Sequence, residues 1–92
     1  MTGEELREAR DILGRRLGLD RAIRAVEIGR ALGLRGDDPG ESVRGWERRG
    51  SMPGPPAEAI RGWVQITDLG GTPPSLKQAI VRRASEAEDD PR

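Results

Sequence analysis

The chain contains no cysteine and no histidine. Without cysteine there are no disulfides, no thiolate metal sites and no thiol nucleophile. Without histidine the commonest general base and the commonest metal ligand are gone. Any catalysis would fall to carboxylates, Ser, Thr and Arg in a chain of 92 residues, so we expect no enzyme, no cofactor and no metal. Phe and Tyr are also missing, which leaves Trp46 and Trp63 as the aromatic side chains. No apolar run approaches the roughly 20 residues of a membrane span, and the opening Met1-Thr2-Gly3-Glu4-Glu5 is acidic and polar, unlike a secretory leader. The expectation is a cytoplasmic protein with no membrane partner. An excess of charge is lacking too, since 16 Lys and Arg balance 16 Asp and Glu. On its face that argues against nucleic acid. The distribution is less even: residues 86–92 hold Glu86, Glu88, Asp89 and Asp90 against Arg92, a net of −3, which leaves +3 for residues 1–85.

What is present is helix grammar. Thr2 and Glu5 form a capping box, and Leu6, Ala9, Leu13 and Leu17 then fall on one apolar face, predicting a first helix that ends near Arg15 or Arg16 beside Gly14 and Gly18. Asp20 is a candidate N-cap for a second helix, Arg21 to Leu32, which buries Ala25, Ile28 and Leu32 with Ile23 and Val26 alongside. Gly33 closes it as a left-handed cap. Asp38 as N-cap, Pro39 at the first helical position and Glu41 three residues after the cap open a third helix running to Arg49, with Gly50 as its stop. Val43 and Trp46 are its core residues. Ser51-Met52-Pro53-Gly54-Pro55 reads as a rigid connector. A fourth helix from Pro56 to Thr67 buries Ile60, Trp63 and Val64. After Leu69-Gly70-Gly71, Thr72 caps a last helix from Pro73, with Leu76, Ala79, Ile80 and Ala84 on one face. The acidic end is expected to be disordered. The fold expected is therefore all-α, a compact bundle of about five helices.

The second and third helices meet the demands of a helix-turn-helix. Such a unit needs a small residue where the helices cross, a Gly at the turn and two apolar anchors on the second helix. Gly29, Gly33 and the pair Val43 and Trp46 supply them. The outer face of the third helix, with Ser42, Arg44, Gly45, Arg48 and Arg49, is then free to enter a major groove.

The stretch Val26-Glu27-Ile28-Gly29-Arg30-Ala31-Leu32-Gly33-Leu34, followed by Ser42-Val43-Arg44-Gly45-Trp46-Glu47-Arg48-Arg49-Gly50, resembles the helix-turn-helix of the phage and bacterial Cro and repressor (XRE-like) family. Met52-Pro53-Gly54-Pro55 and the Ala-containing helix after it extend the resemblance to residues 4–66. It implies a lambda-repressor-like fold and a transcriptional regulator, a repressor, that binds a two-fold symmetric DNA operator as a homodimer. On this pattern residues 1–67 are the DNA-binding domain, 68–85 a C-terminal helix and 86–92 an acidic tail. Three departures stand out: the segment between Leu34 and Val43 is longer than in the family, Gly45 replaces a longer polar side chain, and an extra segment around Asp20 to Arg24 precedes the usual start of the second helix.

Individual roles follow from side-chain chemistry. Arg44 is the candidate base reader, because Arg grips guanine bidentately in the major groove. Ser42 suits a phosphate or a base edge. Arg48 and Arg49, near the helix end, suit phosphates, unless one of them pairs with Glu47. Arg35, and more weakly Arg21 and Arg24, are further phosphate candidates. Leu76, Ala79 and Ile80 on the last helix are the candidate dimer seam. The competing reading uses the same helices for protein contacts, as in a phage small terminase-like, adaptor or antitoxin-like assembly protein.

Overall fold

Five helices organise the chain: α1 (Gly3–Arg16), α2 (Ala25–Ala31), α3 (Gly40–Arg49), α4 (Gly54–Asp68) and α5 (Pro74–Glu88). The computed structural model describes the backbone of residues 1–88 and the side chains of residues 1–81. The all-α expectation holds. Among the described residues α1 packs against α3 and α4, and α2 against α3 and α5, so α3 rests on α1 and α2 alone. No described helix is long and apolar enough to cross a membrane.

The first helix begins as its sequence dictates. Thr2 N–H donates to Glu5 Oε1 at 2.8 Å and Glu5 N–H to Thr2 Oγ1 at 3.1 Å, which closes the capping box. Leu6, Ala9 and Leu13 are buried on one face. Gly14 does not end the helix. A Cβ there would lie 2.0 Å from the Arg21 carbonyl oxygen, so Gly14 is the point where the following segment crosses α1.

That crossing corrects the second helix. It starts at Ala25, with Arg24 as cap, and not at Arg21 behind an Asp20 cap. Ile23 N–H donates to the Arg10 carbonyl at 2.9 Å, and Arg10 Nε donates back to the Ile23 carbonyl at 2.7 Å, so α1 holds this backbone outside any helix. Glu27 then reaches back to accept the Arg24 N–H at 2.9 Å, satisfying a donor that the helix start leaves without a partner. Glu27 is fully buried, and Arg21 grips it with two hydrogen bonds of 2.8 and 3.1 Å. Burial is the strongest influence on this carboxyl and pushes its pKa up. Hydrogen bonds from Arg21 and from the Arg24 backbone, with the charge of both arginines, outweigh it and hold the pKa below the ordinary 4.5. Arg21 is thus occupied by a structural ion pair.

Gly33 takes φ 81° after α2, the left-handed cap expected of it. The third helix starts one residue later than its caps suggested: Pro39 is the cap and Gly40 the first helical residue. Asp38 still caps by its side chain, accepting the Gly40 N–H at 3.1 Å. Proline cannot donate a backbone hydrogen, which suits it to the edge of the helix. The fourth helix starts earlier than expected, at Gly54, because Pro55 and Pro56 fit a first turn whose N–H groups have no helical partner anyway. Ile60 is buried as foreseen, but Trp63 and Val64 are only half-buried and pack at the margin of the core.

The core joins Leu6, Ala9, Leu13, Ile23, Ala25, Ile28, Val43, Trp46, Ile60 and Leu76. Each large member contributes about 1.5–3 kcal/mol by leaving water. Leu76 comes from α5, so the last helix belongs to the same core as the first four. This overturns the expected dimer seam. Leu76 is 0% and Ala79 4% exposed within a single chain, and Ile80 is packed against the same core. α5 also continues to Glu88, through part of the acidic stretch expected to be disordered; Asp89 to Arg92, and the side chain of Ala84, lie outside the described residues.

Candidate nucleic-acid interface

The α2–α3 crossing is built around an absent side chain. A Cβ on Gly29 would lie 2.1 Å from the Pro39 carbonyl oxygen and 2.6 Å from its carbon, so only glycine lets the connector pass over α2 there. On the far side of α3, Val43 and Trp46 enter the core. Successive residues turn about 100° around a helix, which carries Glu41 and Arg48 to the opposite side, flanked by Arg44 and Gly45, with Ser42 and Arg49 toward the edge. Gly45, expected on the open face, is buried beneath the Arg49 side chain.

A second lock fixes the rotation of α3. Arg10 Nη1 donates to Glu47 Oε1 at 2.5 Å, and Arg7 Nε lies 3.8 Å from Glu47 Oε2. Glu47 is therefore committed to α1 and pairs with neither Arg48 nor Arg49. Arg10 bonds the Ile23 carbonyl as well, so one guanidinium ties α1, the entry to α2 and the inner edge of α3 together.

The five DNA-contact candidates fall as follows. Ser42, Arg48 and Arg49 are exposed on α3, and Arg35 is exposed on the connector. Arg44 is half-buried at 40% side-chain exposure and leans back over Gly40, whose Cβ would meet its Nη1 at 2.9 Å. Two carboxylates hold it: Asp38 Oδ2 accepts from Arg44 Nη2, and Glu41 Oε2 lies 3.6 Å from the same nitrogen. Glu41 Oε1 also accepts from Arg48 Nη2 at 3.1 Å. Among the described residues Arg35 and Arg49 face no carboxylate. Arg49 folds across Gly45, where a Cβ would come within 3.1 Å of Nη1, so a longer residue at 45 would displace it.

Glu41, expected to serve the start of the helix as a cap, is instead paired with arginines. Its spacing to Arg44 and Arg48, one and two turns along the same face, carried the signal for these ion pairs. Arg21, weighed as a phosphate contact, is instead spent on Glu27. Among the described residues no group of three or more acidic side chains is placed to hold a metal ion. Compared with family models, curated proteins and solved structures, the chain matches none.

Proposed function

We propose that the protein is a sequence-specific DNA-binding regulator in which α2 and α3 act as a helix-turn-helix of the Cro and repressor kind, with α3 as the reading helix. The observation that carries this reading is the seating of α3. Its apolar side is consumed by Val43 and Trp46, its rotation is held by Arg10 and Glu47, and its outward side offers Ser42, Arg44, Arg48 and Arg49, with Arg35 exposed on the connector. Arg44 reads a guanine edge, and Arg35 and Arg49 hold phosphates. Ser42 donates to a phosphate or a base. Repression from a two-fold operator follows from pairing two chains, because one such unit touches too few base pairs for specific affinity. With Leu76 and Ala79 spent inside the chain, the exposed large apolar side chains among the described residues are Ile66, Leu69 and Val81, at the end of α4 and on α5; Leu69 is 81% exposed.

One observation favours the second reading, an adaptor or antitoxin-like assembly protein. Asp37, Asp38 and Glu41 crowd the start of α3, and two of them neutralise its arginines. The two readings separate on duplex selected from a random library by the purified chain. On the DNA reading Arg44→Ala removes about 1–3 kcal/mol of discrimination at one position per half-site. Arg49→Ala weakens all sequences alike and lowers the salt slope by about one unit. Equal effects of both variants on selected and random duplex would remove Arg44 as the reader. No selectable duplex at all would favour the assembly reading.

A further inference from the structure

On the DNA-binding reading above, we propose that Asp38 and Glu41 are positioning residues: a carboxylate clasp that directs Arg44 and Arg48 away from arbitrary phosphate and keeps Arg44 for guanine. The clasp is anchored in the backbone. Asp38 accepts the Gly40 N–H at 3.1 Å with one oxygen and Arg44 Nη2 with the other, so its carboxylate cannot swing away without uncapping α3. Glu41 stands between the two arginines, 3.6 Å from Arg44 and 3.1 Å from Arg48. Two carboxylates facing two guanidiniums make this part of the surface electrically neutral.

That neutrality bears differently on the two parts of a duplex. A phosphate is attracted by net charge, and within the screening length of about 8 Å at physiological salt it meets Asp38 and Glu41 as well as the arginines. A guanine edge carries no net charge and presents two acceptors. The guanidinium has five N–H donors in a rigid fork, and the carboxylates engage Nη2 alone. Among the described residues no acceptor meets Nε or Nη1; Nη1 rests against Gly40, so the side chain lifts from Gly40 to present these donors to a base. Arg35 and Arg49, which face no carboxylate among the described residues, keep their full attraction for phosphate. The face is thus divided into general and selective arginines.

The test measures binding of the full chain to its most enriched duplex and to a shuffled duplex of equal length, over a range of salt. Asp38→Asn keeps an acceptor for the Gly40 N–H and turns the oxygen that faces Arg44 Nη2 into an amide NH2, which removes both the negative charge and the acceptor that hold Arg44. It should raise affinity for the shuffled duplex roughly 3- to 10-fold near 0.1 M salt and steepen the salt slope by about one unit. The ratio of enriched to shuffled binding should narrow by a similar factor. Glu41→Gln should act in the same direction. In an Arg44→Ala background the narrowing by Asp38→Asn should vanish, a coupling that a purely structural role of Asp38 would not produce. If Arg44→Ala collapses the ratio while Asp38→Asn leaves both ratio and slope at parental values, the clasp is wrong and the DNA reading stands. A parent that binds no duplex while Asp38→Asn does would support the clasp in its strongest form, as a block. Silence of parent and variants alike would overturn both.

Discussion

Arg21→Met should destabilise the protein sharply at neutral pH and mildly in acid. The variant keeps the aliphatic stem and removes the guanidinium that gives Glu27 two of its hydrogen bonds. Glu27 is fully buried and would keep only the Arg24 N–H. Stranding a buried charge in this way typically costs 3–5 kcal/mol. The Arg21 side chain is itself 36% exposed, so water can enter where the guanidinium was and the lower figure, about 3 kcal/mol, applies. That is a large part of the 5–15 kcal/mol typical of a folded domain. The parent's Glu27 has a folded pKa below its unfolded one, so its contribution is complete above about pH 4.5 and fades as pH falls through the lowered value. In the variant burial acts with much less opposition, the carboxyl protonates at higher pH, and the penalty for stranding it disappears in acid. Urea melts of both proteins between pH 7 and pH 4 should therefore show a gap of about 3 kcal/mol closing to about 1 or less. A gap below 1 kcal/mol at pH 7, or one that does not change with pH, would refute the reasoning.

Gly29→Ala gains up to about 1 kcal/mol of helix propensity but sets a Cβ 2.1 Å from the Pro39 carbonyl oxygen. Overpacking of this kind costs about 1–3 kcal/mol or more, and backbone rather than a flexible side chain must move. A fall in melting temperature of roughly 5 °C or more is expected, and a rise would show that the connector does not cross α2 there. Leu76→Glu buries a carboxylate with no partner in the core that Leu76 shares with α2. Circular dichroism should report an unfolded chain. A folded monomer would return Leu76 to an intermolecular seam.

How far the sequence could be read depended on whether its signals were local. Thr2 with Glu5, Gly33 and Gly50 at helix ends, and Val43 with Trp46 on one face all act within a turn or two, and each takes the place it was assigned. The start of α2 was misplaced because its cause lies elsewhere in the chain. Arg10 captures the Ile23 backbone from 13 residues away, and Asp20 looked like a cap only in the absence of that bond. The same holds for α5: an apolar stripe of Leu76, Ala79 and Ile80 looks alike whether it faces α2 or a second chain, and only the packed core decides. In the candidate interface, residue type identified the arginines of α3. The hold of Glu41 on Arg44 and Arg48 was legible in its spacing within α3, whereas the reach of Asp38 to Arg44 depended on the path of the connector, which no local pattern specified.

The placement of the reading face is tested most directly by titrating isotopically labelled protein with a selected duplex and following its backbone amide signals. The account predicts that the largest shifts fall on Ser42, Arg44, Arg48 and Arg49, with Arg35 on the connector, and that they shrink steeply as salt is raised. The end of α4 and the start of α5 should respond little, or change only with protein concentration. Shifts centred on α4 and α5, with α3 unmoved at saturating duplex, would contradict it.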